Sequence, residues 1–77
     1  MTIAEFRQSK DYAEMIEKIK GYPKGFKFTL EYGQIPKSKA NALEIVTNDC
    51  IKAGILESIG IGLDIQGTCV EETYRRI

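Results

Sequence analysis

The stretch from Ile35 to Ile61 reads IPKSKANALEIVTNDCIKAGILESIGI, and it decides the fold of this chain. Pro36 holds Ile35 in an extended backbone and suits the first turn of a helix. The buried stripe of that helix is centred on Leu43, and at helical spacing it takes in Val46, Thr47, Cys50 and Gly54. The sequence therefore predicts one long amphipathic helix that turns at Ala53-Gly54 into a strand.

The opposite face of this helix is polar apart from one isoleucine. Its residues are Lys37, Asn41, Glu44, Asn48 and Lys52, with Ile45 among them. A single exposed isoleucine is common on protein surfaces, and it is also what a contact face would present. The exposure of Ile45 therefore helps to distinguish an ordinary surface from a contact face.

After Gly54 the apolar residues change from helical spacing to alternation. Ile59, Ile61, Leu63 and Ile65 alternate with small or polar residues, a pattern typical of a strand. Gln66-Gly67 offers the positive φ that a tight hairpin turn requires. With that loop we expect Ile65 to face Thr68, Leu63 to face Val70 and Ile59 to face Tyr74. Ile61 would then face Glu72, an imperfect pairing that indicates a bulge or a different loop length.

The first twenty residues predict a helical segment that supports this unit. Thr2 and Glu5 fit a capping box at its start, and Gly21 suits its C-cap. Ser9 has a side chain that can cap a second helix, so one helix or two remains open. The predicted buried stripe consists of Ile3, Phe6, Ala13, Ile16 and Ile19.

Between the helices, the run from Phe26 to Tyr32 alternates apolar and polar residues like a half-buried strand. Residues 30–34 fit either the end of that strand or one short helical turn. A strand–helix–strand crossover followed by a hairpin places the last strand between the other two. We therefore predict a single α+β domain over residues 1–77, in the order α-β-α-β-β. Two helices cover one face of a three-stranded antiparallel sheet.

Composition limits the classes of function. No apolar run approaches the roughly 18 residues of a membrane helix, and no signal peptide follows Met1, so we expect a cytoplasmic protein without membrane contact. There is no histidine, no metal-ligand cluster and no nucleophile motif. We therefore expect no enzyme, no catalytic residues, and no metal or cofactor. Cys50 and Cys69 lack CxxC spacing and are expected to be free thiols.

Charge is balanced overall but polarised along the chain. The 11 basic and 11 acidic residues give a net charge of zero, which counts against a protein that depends on phosphate contacts. Residues 18–39 nevertheless carry six lysines and one acid, whereas residues 40–72 carry six acids and one lysine. The start of the long helix belongs to the basic part.

The segment from Phe26 to Ile77 resembles a winged helix-turn-helix domain. The run AGILESI at 53–59 looks like that family's corner between second helix and wing, and IPKSKAN at 35–41 looks like the start of a recognition helix. The resemblance implies a wing that turns at Gln66-Gly67. The chain departs from the family in leaving only residues 30–34 for the first helix of the pair. It also carries Asp64, Glu71 and Glu72 where such wings usually carry lysine or arginine.

The start of the long helix is the candidate nucleic-acid contact. A helix N-terminus offers unpaired N–H groups and partial positive charge to a phosphate, and an asparagine in its first turns can bond adenine. The predicted contacts are Lys37, Ser38, Lys39, Asn41 and Lys52, with Lys24 and Lys27 as phosphate neighbours. We therefore expect a small, non-enzymatic DNA-binding accessory or regulatory protein that acts as a homodimer.

The alternative expectation is a stand-alone protein-interaction module, an inhibitor or adaptor of a larger complex such as phages or mobile elements encode. It would use the helix face around Ile45 and Asn48, or an exposed sheet edge. Its partner would then be another protein, with no DNA contact.

Overall fold

A computed structural model describes residues 2–77, which form three α-helices, a short 3₁₀ turn and three strands. The elements are α1 (Ile3–Arg7), α2 (Lys10–Lys20), β1 (Lys27–Leu30), the 3₁₀ turn (Tyr32–Gln34), α3 (Lys37–Lys52), β2 (Leu56–Leu63) and β3 (Cys69–Arg76). β3 lies between β1 and β2 and is antiparallel to both. The predicted α+β class, order of elements and central last strand are confirmed.

The N-terminal segment is two helices, and Ser9 separates them. Thr2 and Glu5 form the predicted capping box of α1. The Ser9 hydroxyl donates to the Phe6 carbonyl at 2.6 Å and accepts from the Tyr12 N–H at 3.2 Å, so it ends one helix and caps the next. The Ser9 side chain therefore resolves the alternative between one helix and two.

The break at Ser9 also changes which residues of this segment are buried. Ile19 is buried, and Phe6 and Ile16 pack against the core. Ile3 and Ala13 are exposed, so their prediction as buried residues was wrong. The break explains Ile3, because a helical stripe cannot continue where the second helix takes a new orientation. Within α2 the inward face consists of Tyr12, Met15, Ile16 and Ile19, and Ala13 lies to one side of it.

The core lies between the helices and one face of the sheet. Ile19 of α2, Val46 and Cys50 of α3, Leu56 of β2 and Tyr74 of β3 are its buried hydrophobic residues. The predicted stripe of α3 is confirmed at Val46, Thr47 and Cys50. The other sheet face carries exposed polar pairs such as Thr29–Thr73, whose hydroxyls lie 2.8 Å apart. Burying one face and solvating the other is usual for an antiparallel sheet.

The segment between β1 and α3 contains both of the predicted alternatives. β1 ends at Leu30, and Tyr32–Gln34 then forms the 3₁₀ turn. Gly33 lies against β3, where an added Cβ would come within 3.2 Å of the Val70 Cβ. The 3₁₀ turn therefore packs directly on the part of β3 nearest the hairpin loop.

The hairpin between β2 and β3 has a longer loop than predicted. The Asp64 carboxylate accepts from the N–H groups of Gln66 and Thr68 at 2.8 and 2.9 Å, and Gly67 adopts a φ of 81°. These bonds hold residues 64–68 as the loop, so a two-residue Gln66-Gly67 loop was wrong, and Ile65 and Thr68 lie within the loop.

The longer loop and two bulges shift the hairpin register. Leu63 pairs with Cys69 instead of Val70, and Ser58, not Ile59, pairs with Tyr74. Irregularities lie between Ser58 and Gly60 and between Gly62 and Leu63. The pairing of Ile61 with Glu72 is confirmed.

Candidate interaction surfaces

The first turn of α3 is exposed and has no side-chain cap. Pro36 occupies the N-cap position and offers no side-chain hydrogen bond, and the turn carries no acidic residue. Lys37, Ser38, Lys39 and Asn41 are all exposed. Four of the seven predicted nucleic-acid contacts therefore lie together at this helix start.

The other three predicted contacts, Lys24, Lys27 and Lys52, are exposed but lie towards the opposite end of the sheet. Lys27 pairs with Arg75 near the end of β3, whereas the chain passes Gly33, against Val70, before α3 begins. α3 then runs back towards that end of β3, since β2 begins at Leu56 opposite Arg76. The structure therefore divides the predicted contacts into two groups.

A basic end of the molecule, defined by Lys20, Lys24, Lys27, Arg75 and Arg76, gathers around the end of β3. The Arg76 guanidinium donates to the Lys20 carbonyl at 3.5 Å, and the Arg76 carbonyl accepts from Gly25 N–H at 2.7 Å. Arg75 forms an ion pair with Glu57. Lys20 and both arginines were absent from the predicted site, although the antiparallel register brings Arg75 opposite Lys27.

A groove runs between α1 and α3 and includes both residues of the alternative prediction. Its two adjoining parts have volumes of about 310 and 410 Å³, and both are lined by Ile3, Asn41 and Ile45. Asn48 lines the larger part. Ile45 is half-buried, whereas Ile3 across the groove is 54% exposed. Sequence reasoning missed Ile3 as a surface residue because it treated the N-terminal segment as one stripe.

The hairpin exposes the apolar residues of its alternating pattern. Ile59, Ile61, Leu63 and Ile65 are all exposed, and Ile61 and Leu63 reach 62% and 57%. Asp64 and Glu71 are exposed beside them, and Glu72 is half-buried. The loop end of the hairpin is therefore apolar and acidic, opposite in charge to the basic end.

Three hydroxyl groups meet inside the fold. The Tyr32 and Tyr74 hydroxyls lie 2.7 Å apart, and Tyr74 donates to the Thr47 hydroxyl at 3.3 Å. Burial raises the pKa of both tyrosines, that of Tyr74 far above its ordinary value. The phenols are therefore neutral at physiological pH, and the cluster joins the 3₁₀ turn, α3 and β3.

Asp49 joins the three α-helices on one side of the core. Its carboxylate accepts two hydrogen bonds from the Arg7 guanidinium, each 2.9 Å, and one from the Tyr12 hydroxyl at 2.7 Å. The bonds from Arg7 lower the pKa of Asp49, and the Tyr12 hydroxyl adds to this effect against partial burial. Hydrogen bonding to Asp49 in turn raises the pKa of Tyr12.

The described part of the chain contains no metal cluster and no membrane-spanning helix. Residues 2–77 contain no group of three or more Cys, Asp or Glu residues placed to hold a metal ion. None of the helices they form is long and apolar enough to cross a membrane. Cys50 and Cys69 are free, as predicted, the first buried and the second exposed. No protein-family model, curated protein or solved structure matches the chain.

Proposed function

We propose that this chain is a non-enzymatic protein-interaction module that binds its partner in the groove between α1 and α3. The observation that carries this proposal is the pairing of Ile3 and Ile45 across a groove lined by Asn41. Apolar side chains supply binding energy when water is removed from them, and amides at their margin fix a partner's orientation.

The partner that fits this groove is an amphipathic helix with acidic residues near its ends. Lys37 lies one helical turn before Asn41, and Lys52 one turn after Asn48, so a lysine borders each end of the part of α3 that lines the groove around Ile45. The rise of an α-helix puts these lysines about 22 Å apart, the length of roughly four turns. A helix that docks its apolar face between them follows a common mode of recognition.

Affinity capture with matched variants tests this proposal. Tagged wild type, Ile45→Asp and Ile65→Asp are used, because Ile65 is exposed on the hairpin loop and lies outside the groove. We expect one partner to be lost with Ile45→Asp and kept with Ile65→Asp. Reconstitution with the purified partner then checks that Lys37→Glu weakens binding, as expected for an acidic partner.

A partner set unchanged by Ile45→Asp would contradict the groove as the binding site. Circular dichroism of each variant shows whether the fold survives, because Ile45 is half-buried. If Ile45→Asp unfolds, Asn48→Arg replaces it, since Asn48 lines the groove but is exposed.

DNA binding is the second candidate, and the first turn of α3 favours it. Lys37, Ser38 and Lys39 are exposed beside backbone N–H groups that no side chain caps, and Asn41 follows one turn later. Such a helix end attracts phosphate. Its lysines are few, however, and the basic end of the molecule lies elsewhere.

Titration of labelled duplex DNA at two salt concentrations tests the second candidate. DNA binding predicts an affinity that falls steeply with salt and a smaller salt slope when Lys37 and Lys39 are both replaced by alanine. The matched control is Lys24→Ala with Lys27→Ala, which removes equal charge at the basic end. Absence of binding at low salt would exclude this candidate.

A further inference from the structure

β2 is an edge strand that lacks the usual protection against pairing. One side of its backbone pairs with β3, and no strand covers the other. Its eight residues, Leu56–Leu63, include neither lysine nor proline, the residues that commonly block an edge. Its only charged residue, Glu57, is already paired with Arg75. The bulge before Gly60 separates Gly60–Leu63 from the start of the strand, and the irregularity between Gly62 and Leu63 leaves its extra residue, Val70, on β3 and not on β2.

β1, the other edge of the sheet, is better protected. It has only four residues, Lys27–Leu30, and begins with a lysine. Pro23 precedes it in the turn from α2. Of the two edges, only β2 is long and apolar enough to accept another strand.

The accessible surface of the molecule is larger than expected for a monomer of its mass. Its accessible surface is 5352 Å², whereas a monomer of 8.7 kDa is expected to expose about 4,700 Å². The excess of about 600 Å² approaches the roughly 800 Å² that one partner buries in a standard interface. Ile61 and Leu63, both exposed by more than half, lie in the segment Gly60–Leu63 of β2.

We propose that two copies of this chain pair through β2, antiparallel, to form a continuous six-stranded sheet. Pairing about Gly62 places Ile61 of each copy opposite Leu63 of the other. Residues opposite one another share a face of the sheet, so the four side chains form one apolar cluster. Because a two-fold axis relates the copies, each contributes the same strand, β2, to the interface, as an isologous dimer requires.

The charge distribution favours the antiparallel arrangement. The hairpin loop of each copy carries Asp64, while the basic end lies around Arg75 and Arg76. Glu71 lies opposite Gly62, near the two-fold axis, and takes no part in this contrast. Antiparallel strands direct the acidic loop of one copy towards the basic end of the other. A parallel arrangement would set the two acidic loops side by side, which costs energy.

Sedimentation equilibrium of the full chain tests this assembly. We expect wild type to behave as a dimer of 8.7 kDa chains and Ile61→Lys to dimerise about 100-fold more weakly, because it puts two charges into the apolar cluster. Ile77→Lys is the matched control, since Ile77 is 49% exposed and lies outside the hairpin. A wild type that stays monomeric up to its solubility limit would overturn the proposal, as would equal weakening by both variants.

A distance measurement locates the interface independently. Cys69 is the exposed cysteine and pairs with Leu63, so a spin label attached there reports on the hairpin. Three strand spacings and a two-residue offset separate the two Cys69 backbones by roughly 15 Å in the proposed dimer. A dimer whose labels lie more than twice as far apart would place the interface elsewhere. Dimerisation does not depend on the groove, so Ile45→Asp should leave the distance unchanged.

Discussion

The two halves of β2 carry the same kind of residue into opposite environments. Leu56, at its start, is 1% exposed beneath the helices, whereas Leu63, at its end, is 57% exposed. The half that begins at Leu56, called the near half, lies where α3 returns to the sheet. The half that ends at Leu63, called the far half, extends beyond the helices. Alternation from Ile59 onward predicts the strand, but the position of the helices decides whether an apolar residue of β2 becomes part of the core or of the exposed surface.

Replacing the two leucines by alanine should give the largest difference between the halves. Leu56→Ala leaves a cavity in the core, and we expect it to lower the free energy of unfolding by about 2–5 kcal/mol. Leu63→Ala should change the free energy of the monomer by less than about 0.5 kcal/mol, because the side chain is already in water. Urea unfolding at a protein concentration below that of dimerisation measures both. Similar losses would show that the far half is covered in the monomer.

Removing the Tyr74 hydroxyl should lower the free energy of unfolding by less than Leu56→Ala does, because it removes hydrogen bonds from the core without leaving a cavity. Tyr74→Phe deletes the bonds to Tyr32 and Thr47, and we expect a loss of about 1 kcal/mol in the free energy of unfolding. Tyr22→Phe is the matched control, because the Tyr22 hydroxyl makes no side-chain hydrogen bond with residues 2–77. Thermal and urea unfolding of both variants gives the comparison; equal effects would mean that the hydroxyl cluster adds no stability.

The smallest effect on the free energy of unfolding should come from loss of the Asp49 carboxylate, which joins the three helices over the near half of β2. This effect should depend on pH. The folded pKa of Asp49 lies below its ordinary value of 3.8. The unfolded state therefore takes up a proton first as the pH falls, so the stabilisation is complete above that value and disappears through the lower folded pKa. We expect Asp49→Asn to be less stable than wild type at neutral pH.

The stability difference between wild type and Asp49→Asn should narrow once the pH falls below about 4. Glu17→Gln is the control for removal of one negative charge, because Glu17 is exposed on α2. Its difference from wild type should stay small at both ends of the pH range. Unfolding curves across this range measure both differences; a constant gap for Asp49→Asn would contradict a role for the ionised carboxylate.

Local patterns predicted the elements of this fold well. The capping box at Thr2 and the stripe of α3 depend on residues close in sequence, where spacing and turn chemistry act directly, and the central position of the last strand follows from the crossover connection. The hairpin register was harder to predict from the sequence than the elements were. Asp64 determines it through side-chain bonds to Gln66 and Thr68, which alternation alone does not reveal.

The surfaces were predicted only in part. Asn48 is exposed on the predicted polar face of α3, because the helical wheel fixes which residues share a face, whereas Ile45 beside it is half-buried. Ile3 was missed because the second wall of the groove comes from another helix. The lysines at 24 and 27 were grouped with the start of α3 by nearness in sequence, whereas the crossover carries the chain to the other end of the sheet between them.

The two cysteines allow the protein to report on its own opening. Cys50 is buried on the inner face of α3, and this burial raises the pKa of its thiol, while Cys69 is exposed on the hairpin. A thiol reagent should therefore react with Cys69 at once and with Cys50 only when the core opens. The ratio of the two rates reports how often the folded core opens, and no further cysteine has to be introduced, so the opening of each variant above can be compared without denaturant.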